Sequence, residues 1–584
     1  MSNLHEYIIK SAQSYLTYLE DNNLGTEEIK IAKATLHSIN MLDKHSKDIH
    51  KKYVLTLSLE QQIIATDYLQ LYIDSLMIDL DLIEEKNYNE RTHTLDIIFD
   101  NSNLQEETKE KFCKLLEDSN NILLHNNIAN HTKLFVDLKF LVKNILSFCC
   151  QELNLCLPNT RPLELKIKLE SYINNEQKNA IEGIFNNPIS YIWGISGSGK
   201  TQVVLFSCLL NIITQNKKAL ILAPTNTALE QIFTALINKC DTKGIARTKF
   251  LRLGMPSSEF LSHYPEVCIQ GDDEDSKKES TRLFNIPNLK DRLAECLIIG
   301  LTLDSFIKRY QILSTLDFAH IFLDECAFSP LIKLIAPLQL NTPITLLGDH
   351  KQLMPICLMD NNTITTKNNE VCLWSLNALF IESMLNNHDK LHLANNHDEI
   401  LFKDIANYKL TITHRYGDNL AQILDRYVYH NNLRGVGKET QIYFIDSKVY
   451  GQGYSYIASS NNESLAEANA ILSIARNLGE YAVITPFKDQ QKLLVRKGLQ
   501  RSRVFTIHKS QGKEFDCIVF SPVKFSKFMT NSMYKSALFS LNVAISRLRQ
   551  SLIIVCDYDF WVKKQGQLIS SLLQIAKPYH NGHL

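Results

Sequence analysis

The sequence predicts an α/β protein preceded by a mainly helical section, and three observations carry that prediction. Beyond residue 165, short aliphatic runs that each close on a polar or glycine-rich turn alternate with helical stretches: ALILAP (219–224), HIFLDE (320–325), PITLLGD (343–349), YAVITP (481–486), DCIVFSP (516–522) and SLIIVCD (551–557). Runs of this kind suit parallel strands covered on both faces. Before residue 165 the apolar residues recur at three and four. Ile8, Ile9, Ala12, Tyr15, Leu16 and Leu19 fall on one stripe, and Ile63, Ile64, Leu69, Tyr72, Leu76 and Leu80 on another, which is helical spacing. Glycine is absent from Thr26 to Glu182 and proline first occurs at Pro158, so little punctuates those helices. The prolines of LPNTRPLE mark a boundary near residues 157–163.

A chain of 584 residues, at roughly 100–200 residues per domain, predicts several domains. Its 45% hydrophobic and 21% charged fractions exclude wholesale disorder. Lys+Arg 62 against Asp+Glu 63 gives a net charge of -1, so any nucleic-acid surface must be a local groove rather than a global basic field. The 13 cysteines are scattered apart from Cys149, Cys150 and Cys156, and no CxxC pair has metal-binding spacing. They read as reduced thiols of a cytosolic protein. The N-terminus, MSNLHEYIIK, lacks the apolar core of a signal peptide. The most apolar stretch, Leu134 to Cys150, is interrupted by Asp137, Lys139 and Lys143. It predicts a buried amphipathic helix and no membrane span, and the expected location is cytoplasmic. The acidic patch GDDEDSKKE (271–279) lacks the EF-hand pattern and reads as a solvated surface insertion.

The strongest motif is Gly194-Ile195-Ser196-Gly197-Ser198-Gly199-Lys200-Thr201, a full match to the phosphate-binding loop pattern. It follows the apolar run ISYIW and precedes the helical pattern QVVLFSCLLNII, the strand–loop–helix context the motif requires. Its glycines let backbone N–H groups converge on phosphate at a helix N-terminus. Lys200 would then reach the β- and γ-phosphates of ATP, and Thr201 would ligate Mg2+. HIFLDE supplies the second element: Asp324 would hold the metal, directly or through water, and Glu325 would orient and deprotonate the attacking water.

From here the residues resemble superfamily 1 helicases, specifically the branch of the nonsense-mediated-decay and replication-associated enzymes. Asn174-Asn175-Glu176-Gln177 resembles the family's Q motif, with Gln177 on the adenine edge. Ala223-Pro224-Thr225-Asn226-Thr227-Ala228 and Gly300-Leu301-Thr302 resemble two backbone-contact motifs, and Asp324-Glu325-Cys326-Ala327 resembles motif II. Gly348-Asp349-His350-Lys351-Gln352-Leu353-Met354-Pro355 is similar to motif III, which implies that Gln352 sits between γ-phosphate and strand. LTITHRY (410–416) is similar to motif IV and makes Arg415 the candidate arginine finger. Thr485-Pro486-Phe487, TIHKSQGKEFD (506–516) and Asn542-Val543-Ala544-Ile545-Ser546-Arg547 complete the series, with Glu514 implied at the ribose. The match runs from about Asn174 to Asp557.

The resemblance implies two RecA-like domains after the helical section: 1–165 as a helical N-terminal accessory domain, 166–358 as the first RecA-like domain with a small insertion at about 255–297, and 359–584 as the second. About one hundred residues separate Arg415 from Gln511. That is enough for a typical domain and too little for a large inserted subdomain. Lys200, Asp324 and Glu325 come from the first half and Arg415 and Arg547 from the second, so closure completes the hydrolytic site. Pro224, Thr225, Asn226, Thr302, Thr485, Pro486 and His508 are the implied contacts to one strand of DNA or RNA. Such contacts grip phosphate and sugar without reading sequence.

The expected function is ATP-driven movement of a monomer along single-stranded nucleic acid, 5′-to-3′ by family likeness. An ATP-switched clamp without unwinding, whose helical N-terminal section recruits a protein partner, is the alternative. A metabolic kinase would need an acceptor site where Arg415 and Arg547 stand. Three departures from the family stand out. Ile195-Ser196 replaces Pro-Pro in the loop, and His414 replaces the tyrosine that stacks on adenine. The branch usually carries a β-barrel on a helical stalk where this chain predicts helices. His45-Ser46-Lys47 and His131-Thr132-Lys133 lack the aspartate that a fused nuclease would need five residues after the lysine.

Overall fold

The computed structural model describes residues 3–42, 49–60, 69–73, 76–78, 83–89, 92–100, 106–119, 127–254, 256–268, 287–359, 372–387, 402–451, 462–526 and 535–580. The acidic patch at 271–279, His45-Ser46-Lys47, Ile63, Ile64 and Leu80 lie outside the described residues. The chain divides into two compact units. Unit one is Met1–Asn154, Lys243–Thr315 and Cys357–Trp374; unit two is Leu155–Thr242, Leu316–Ile356 and Ser375–Leu584.

The chain passes first through β1 (Thr26–Ile29), β2 (Ile31–Leu42), β3 (Ile49–Leu59), β4 (Leu69–Ile73), β5 (Leu76–Ile78), β6 (Ile83–Asn89), β7 (Thr94–Asp100) and β8 (Thr132–Asp137). There follow β9 (Ile189–Gly194), β10 (Lys218–Ala223), β11 (Phe250–Arg252), β12 (Ile298–Thr302), β13 (Phe318–Leu323), β14 (Ile344–Gly348), β15 (Ala406–Leu410), β16 (Ile412–Thr413) and β17 (Arg434–Gly435). The last strands are β18 (Gln441–Asp446), β19 (Tyr481–Thr485), β20 (Val504–Thr506), β21 (Phe515–Phe520), β22 (Leu548–Cys556) and β23 (Lys577–Pro578).

Unit one corrects the helical expectation for residues 1–165. Helices Asn3–Asp21 and Lys139–Cys149 pack on each other, but β1 to β8 lie between them. These strands form two antiparallel four-stranded sheets, ordered β1-β8-β4-β5 and β2-β3-β7-β6, over one apolar core that Phe112 and Ile128 complete. The family likeness implied a β body on a helical stalk here, and strands stand where the periodicity predicted helices. The alternation is present in the residues: Tyr53, Leu55, Leu57 and Leu59 are buried along β3, and Leu95, Ile97 and Phe99 along β7, a period of two. The apparent helical stripe Leu69, Tyr72, Leu76 takes members from two strands. In β4 the buried positions are Leu69, Leu71 and Ile73, with Tyr72 off that face. Within the apolar stretch from Leu134, β8 takes Leu134 to Asp137 and only Lys139–Cys149 is helical. The excursion Lys243–Thr315 also belongs to unit one, with β11 and β12 paired in parallel, so the expected insertion at 255–297 is larger than drawn.

Unit two holds two large parallel sheets and the short parallel pair β16-β17. In the first, the unit's strands run β10-β13-β14-β9-β15, all parallel. In the second they run β20-β19-β21-β22-β18-β23, again parallel. Every residue of β9, β14 and β19 is buried, which is why apolar residues predominate in these runs. The expected division at 358/359 moves. β15 pairs with β9, so the first sheet is finished only at Leu410 and the second begins with β18. No described helix is long and apolar enough to cross a membrane.

Candidate nucleotide and nucleic-acid site

The phosphate-loop sequence lies between β9 and a helix that opens with a wide turn, Lys200–Leu205, and continues as Phe206–Thr214. Gly197 (φ 79) and Gly199 (φ 86) adopt the left-handed conformation that favours glycine. Space demands glycine as well: a Cβ on Gly197 would lie 2.5 Å from Arg415 Cβ, and one on Gly199 2.7 Å from Gln177 Nε2. The loop's carbonyls are tied back by donors around it. Lys200 Nζ donates to Gly194 O and Ile195 O, and Ser198 Oγ to Ile195 O at 2.8 Å. Thr413 Oγ1 donates to Ser196 O at 2.8 Å, His414 N to Gly197 O at 3.0 Å, Gln177 Nε2 to Ser198 O at 2.9 Å, and Val203 N to Gly199 O at 2.9 Å. A loop with its carbonyls so engaged presents its amide edge, which suits an anion.

Asp324 and Glu325 follow β13. Thr201 Oγ1 donates to Asp324 Oδ2 at 2.7 Å, and Glu325 N to Asp324 Oδ1 at 2.8 Å. Burial raises the Asp324 pKa, with the Thr201 hydrogen bond and Lys200 opposing it. Burial and the neighbouring Asp324 raise Glu325, with Lys200 and Arg547 opposing. Glu325 itself is left-handed (φ 53), an unusual backbone for a non-glycine residue at a strand end.

Arg415 and Arg547 both reach this loop's surroundings. Arg547 Nη2 donates to Gln352 Oε1 at 2.7 Å, and Gln352 Nε2 donates to Ser196 Oγ at 3.1 Å. Arg415 Nη1 donates to Ser546 O at 3.0 Å, and Ser546 Oγ lies 3.3 Å from Ser196 Oγ. Burial and the nearby Arg415 cation lower the Arg547 pKa. Glu514, expected at a ribose, is the carboxylate partner of Arg415 and lies 3.3 Å from Arg549 Nε. Gln177 completes a capping box with Asn174 at the start of helix Asn175–Asn186. His414 is exposed, with its backbone held on Gly197.

Sequence reasoning missed a buried hub. Asp349 accepts hydrogen bonds from Trp193 Nε1 (3.0 Å), Lys351 N (3.0 Å), Gln352 Nε2 (2.8 Å) and Tyr429 Oη (2.7 Å). Asn542 Nδ2 donates to Tyr429 Oη at 2.6 Å and to Lys351 O at 2.9 Å. Asp349 and Asn542 stand inside quoted motifs without an assigned role, whereas Tyr429 carries no motif signal.

Most of the expected nucleic-acid residues lie at C-terminal ends of parallel strands. Pro224 and Thr225 follow β10, Pro486 follows β19, and His508 opens a short turn after β20. Ligands of open parallel sheets collect at that edge. Thr225 Oγ1 accepts from Ala228 N at 3.2 Å, and Asn226 begins helix Asn226–Thr242. Thr485 is fully buried, so the accessible surface at this turn belongs to Pro486, Phe487 and Lys488. Thr302 is in unit one, where it caps helix Leu303–Leu313. Desolvation and the Lys488 cation lower the His508 pKa.

Residues 172–297 and 438–559 each match an AAA domain family model; the two spans include the phosphate loop and Arg547 respectively. The chain is 22% identical over 446 residues to "Regulator of nonsense transcripts 1" of Dictyostelium discoideum, covering 68% of this chain and 31% of that protein. It is 22% identical over 525 residues to an uncharacterized ATP-dependent helicase of Methanocaldococcus jannaschii, covering 72% and 74%. To the "DNA replication ATP-dependent helicase/nuclease dna2" of Schizosaccharomyces pombe it is 23% identical over 422 residues, covering 66% and 28%. The chain therefore spans about a third of the length of the first and third of these relatives. Its loop, acidic pair and two arginines are set around parallel sheets in the order the sequence led us to expect, and the chain is similar to these relatives over about two thirds of its length.

Proposed function

We propose that this chain hydrolyses ATP in response to single-stranded nucleic acid and uses the cycle to move along that strand, 5′-to-3′ by family likeness. The observation that carries the reading is the convergence of Arg415, Arg547 and Gln352 on the loop that contains Lys200, with Asp324 on Thr201. Two hard oxygen donors 2.7 Å apart, one of them a carboxylate whose pKa burial raises, fit a small divalent cation. Thr201 and Asp324 would hold Mg2+, which when bound offsets the phosphate charge.

Lys200 and the loop amides would hold the β- and γ-phosphates, and Glu325 would orient water and accept its proton. Gln352, held by Asp349 and Arg547, would report the γ-phosphate to both halves. Arg415 would leave Glu514 to meet the charge that develops on the γ-phosphoryl oxygens. Thr225, Asn226, Pro486 and His508 would track the strand.

ATP turnover with and without unstructured DNA and RNA strands tests the reading. Both strands are expected to be compared on the wild type, Lys200→Ala and Arg415→Ala. Stimulation by at least one strand is expected, with turnover lowered about 10³-fold or more in Arg415→Ala and lost in Lys200→Ala. Normal hydrolysis by Lys200→Ala, or no stimulation by either strand, defeats it. Displacement of a tailed duplex separates movement from an ATP-switched clamp.

A further inference from the structure

Two cysteines outside the nucleotide site are held side by side in unit one. The segment Cys357–Trp374 rests by both ends on helix Asn3–Asp21. At one end Leu358 N donates to Tyr15 Oη at 3.1 Å; at the other, Leu373 N donates to Ser11 Oγ at 2.9 Å. Trp374 packs on the Tyr15 ring with centroids 5.0 Å apart. Ser11 and Tyr15, four residues apart on a helix, lie one above the other on one face. The residues that precede Leu358 and Leu373 are Cys357 and Cys372, so the two anchors, one helical turn apart on one face, bring these cysteines to neighbouring positions. Cys372 is buried, while Cys357 is partly exposed between Ile356 and Leu358, both exposed.

The surroundings also single out Cys357 chemically. The neighbouring Cys372 thiol, the Met359 backbone and the Tyr15 hydroxyl favour its thiolate and lower its pKa against the effect of burial. Burial instead pushes Cys149 up to about 12 and Cys240 and Cys517 to about 11. The thiolate is the reactive form, and a partner thiol within reach turns oxidation into a reversible bond.

We propose that Cys357 and Cys372 form a peroxide-responsive dithiol that closes to a disulfide. The Cys357 thiolate attacks one oxygen of hydrogen peroxide; the O–O bond breaks and hydroxide leaves, taking a proton to become water. The resulting sulfenic acid is attacked by the Cys372 sulfur, the S–OH bond breaks, and the hydroxyl departs as water with the Cys372 proton. The two sulfurs are together oxidised by two electrons, peroxide is reduced to two waters, and one S–S bond joins the two ends of the segment where each now rests separately on one helix. The chemistry is independent of nucleotide hydrolysis.

The full chain is titrated with hydrogen peroxide, free thiols are blocked by alkylation, and a non-reducing digest is weighed by mass spectrometry. One peptide pair joined through Cys357 and Cys372 is expected, lighter by two hydrogens than the reduced pair. It should appear at lower peroxide than oxidation of any other cysteine and be lost on treatment with dithiothreitol. Cys372→Ser is expected to stop at a Cys357 sulfenic acid that a cyclic 1,3-dione captures, and Cys357→Ser to leave Cys372 reduced. The proposal is overturned if the wild type forms no such cross-link while other cysteines oxidise, or if Cys357 and Cys372 oxidise independently of one another. The wild-type digest decides the matter even if a variant folds poorly.

Discussion

At the scale of single residues, Tyr429 offers the most informative substitution. Its hydroxyl donates to Asp349 and accepts from Asn542, so one O–H group joins the segment after β14 to helix Lys535–Ile545, the helix leading to Arg547. Gln352 shares the same Asp349 oxygen. Tyr429→Phe keeps the buried ring and removes only that group, leaving a carboxylate and an amide short of a partner. A buried donor or acceptor so stranded costs about 1–3 kcal/mol. We expect a lower denaturant midpoint and, through loosened Gln352, turnover reduced about tenfold, equivalent to about 1.4 kcal/mol on the barrier, with nucleotide affinity little changed. An unaltered midpoint together with unaltered turnover would remove Tyr429 from the coupling. The loop residues, Asp324, Glu325, Arg415 and Arg547 were legible because each sits in a patterned segment. Tyr429 was not, since a tyrosine among apolar neighbours reads as core and its partner lies 80 residues away.

At the scale of elements, helix Leu465–Ala475 is fastened to the end of β21 by a buried acid. Glu467 Oε2 accepts from Ser521 Oγ at 2.6 Å and from Val523 N at 3.1 Å, and Gln490 Nε2 donates to Ser521 Oγ at 3.1 Å. Burial outweighs those two donors and pushes the Glu467 carboxyl up to about 8. The unfolded carboxyl titrates at about 4.3. Between these values the folded chain holds the extra proton, so its stability falls as pH rises through that window. Glu467→Gln keeps an amide oxygen for both donors and carries no charge. We therefore expect the variant to match the wild type near pH 5 and to exceed it at pH 8.5 in denaturant midpoint. A wild type that loses no more than the variant over that range would show the acid to be ionised without penalty.

Elements differed in legibility for a related reason. Strands buried on both faces, such as β9 and β14, announce themselves as runs in which apolar residues predominate. The strands of unit one have one polar face, and their alternate apolar residues, spread over short neighbouring strands, also satisfy a spacing of three and four. Scoring Tyr53, Leu55, Leu57 and Leu59 as an alternating set would have found β3.

At the scale of the whole molecule, charge decides how the chain should hold a strand. A net charge of -1 leaves no broad cationic field, and the proposed contacts at Thr225, Asn226, Pro486 and His508 carry no fixed positive charge. His508 is held below its ordinary pKa by desolvation and Lys488, so it stays neutral at pH 7.5. Counterion release scales with the number of phosphates neutralised, with a slope of about -0.7 per phosphate for single strands. Hydroxyl, amide and stacking contacts release none. We therefore expect a shallow dependence of affinity on salt, with a slope of log K against log salt no steeper than about -3. Fluorescence anisotropy of a labelled single strand between low and physiological salt, at pH 7.5 and with a non-hydrolysable ATP analogue present, reads the slope directly. A value steeper than about -5 would require a basic groove that these residues do not form, and would shift the binding face away from the strand ends of β10, β19 and β20. Because the slope counts cations at the interface and is insensitive to turnover, it tests the binding face separately from the hydrolytic site.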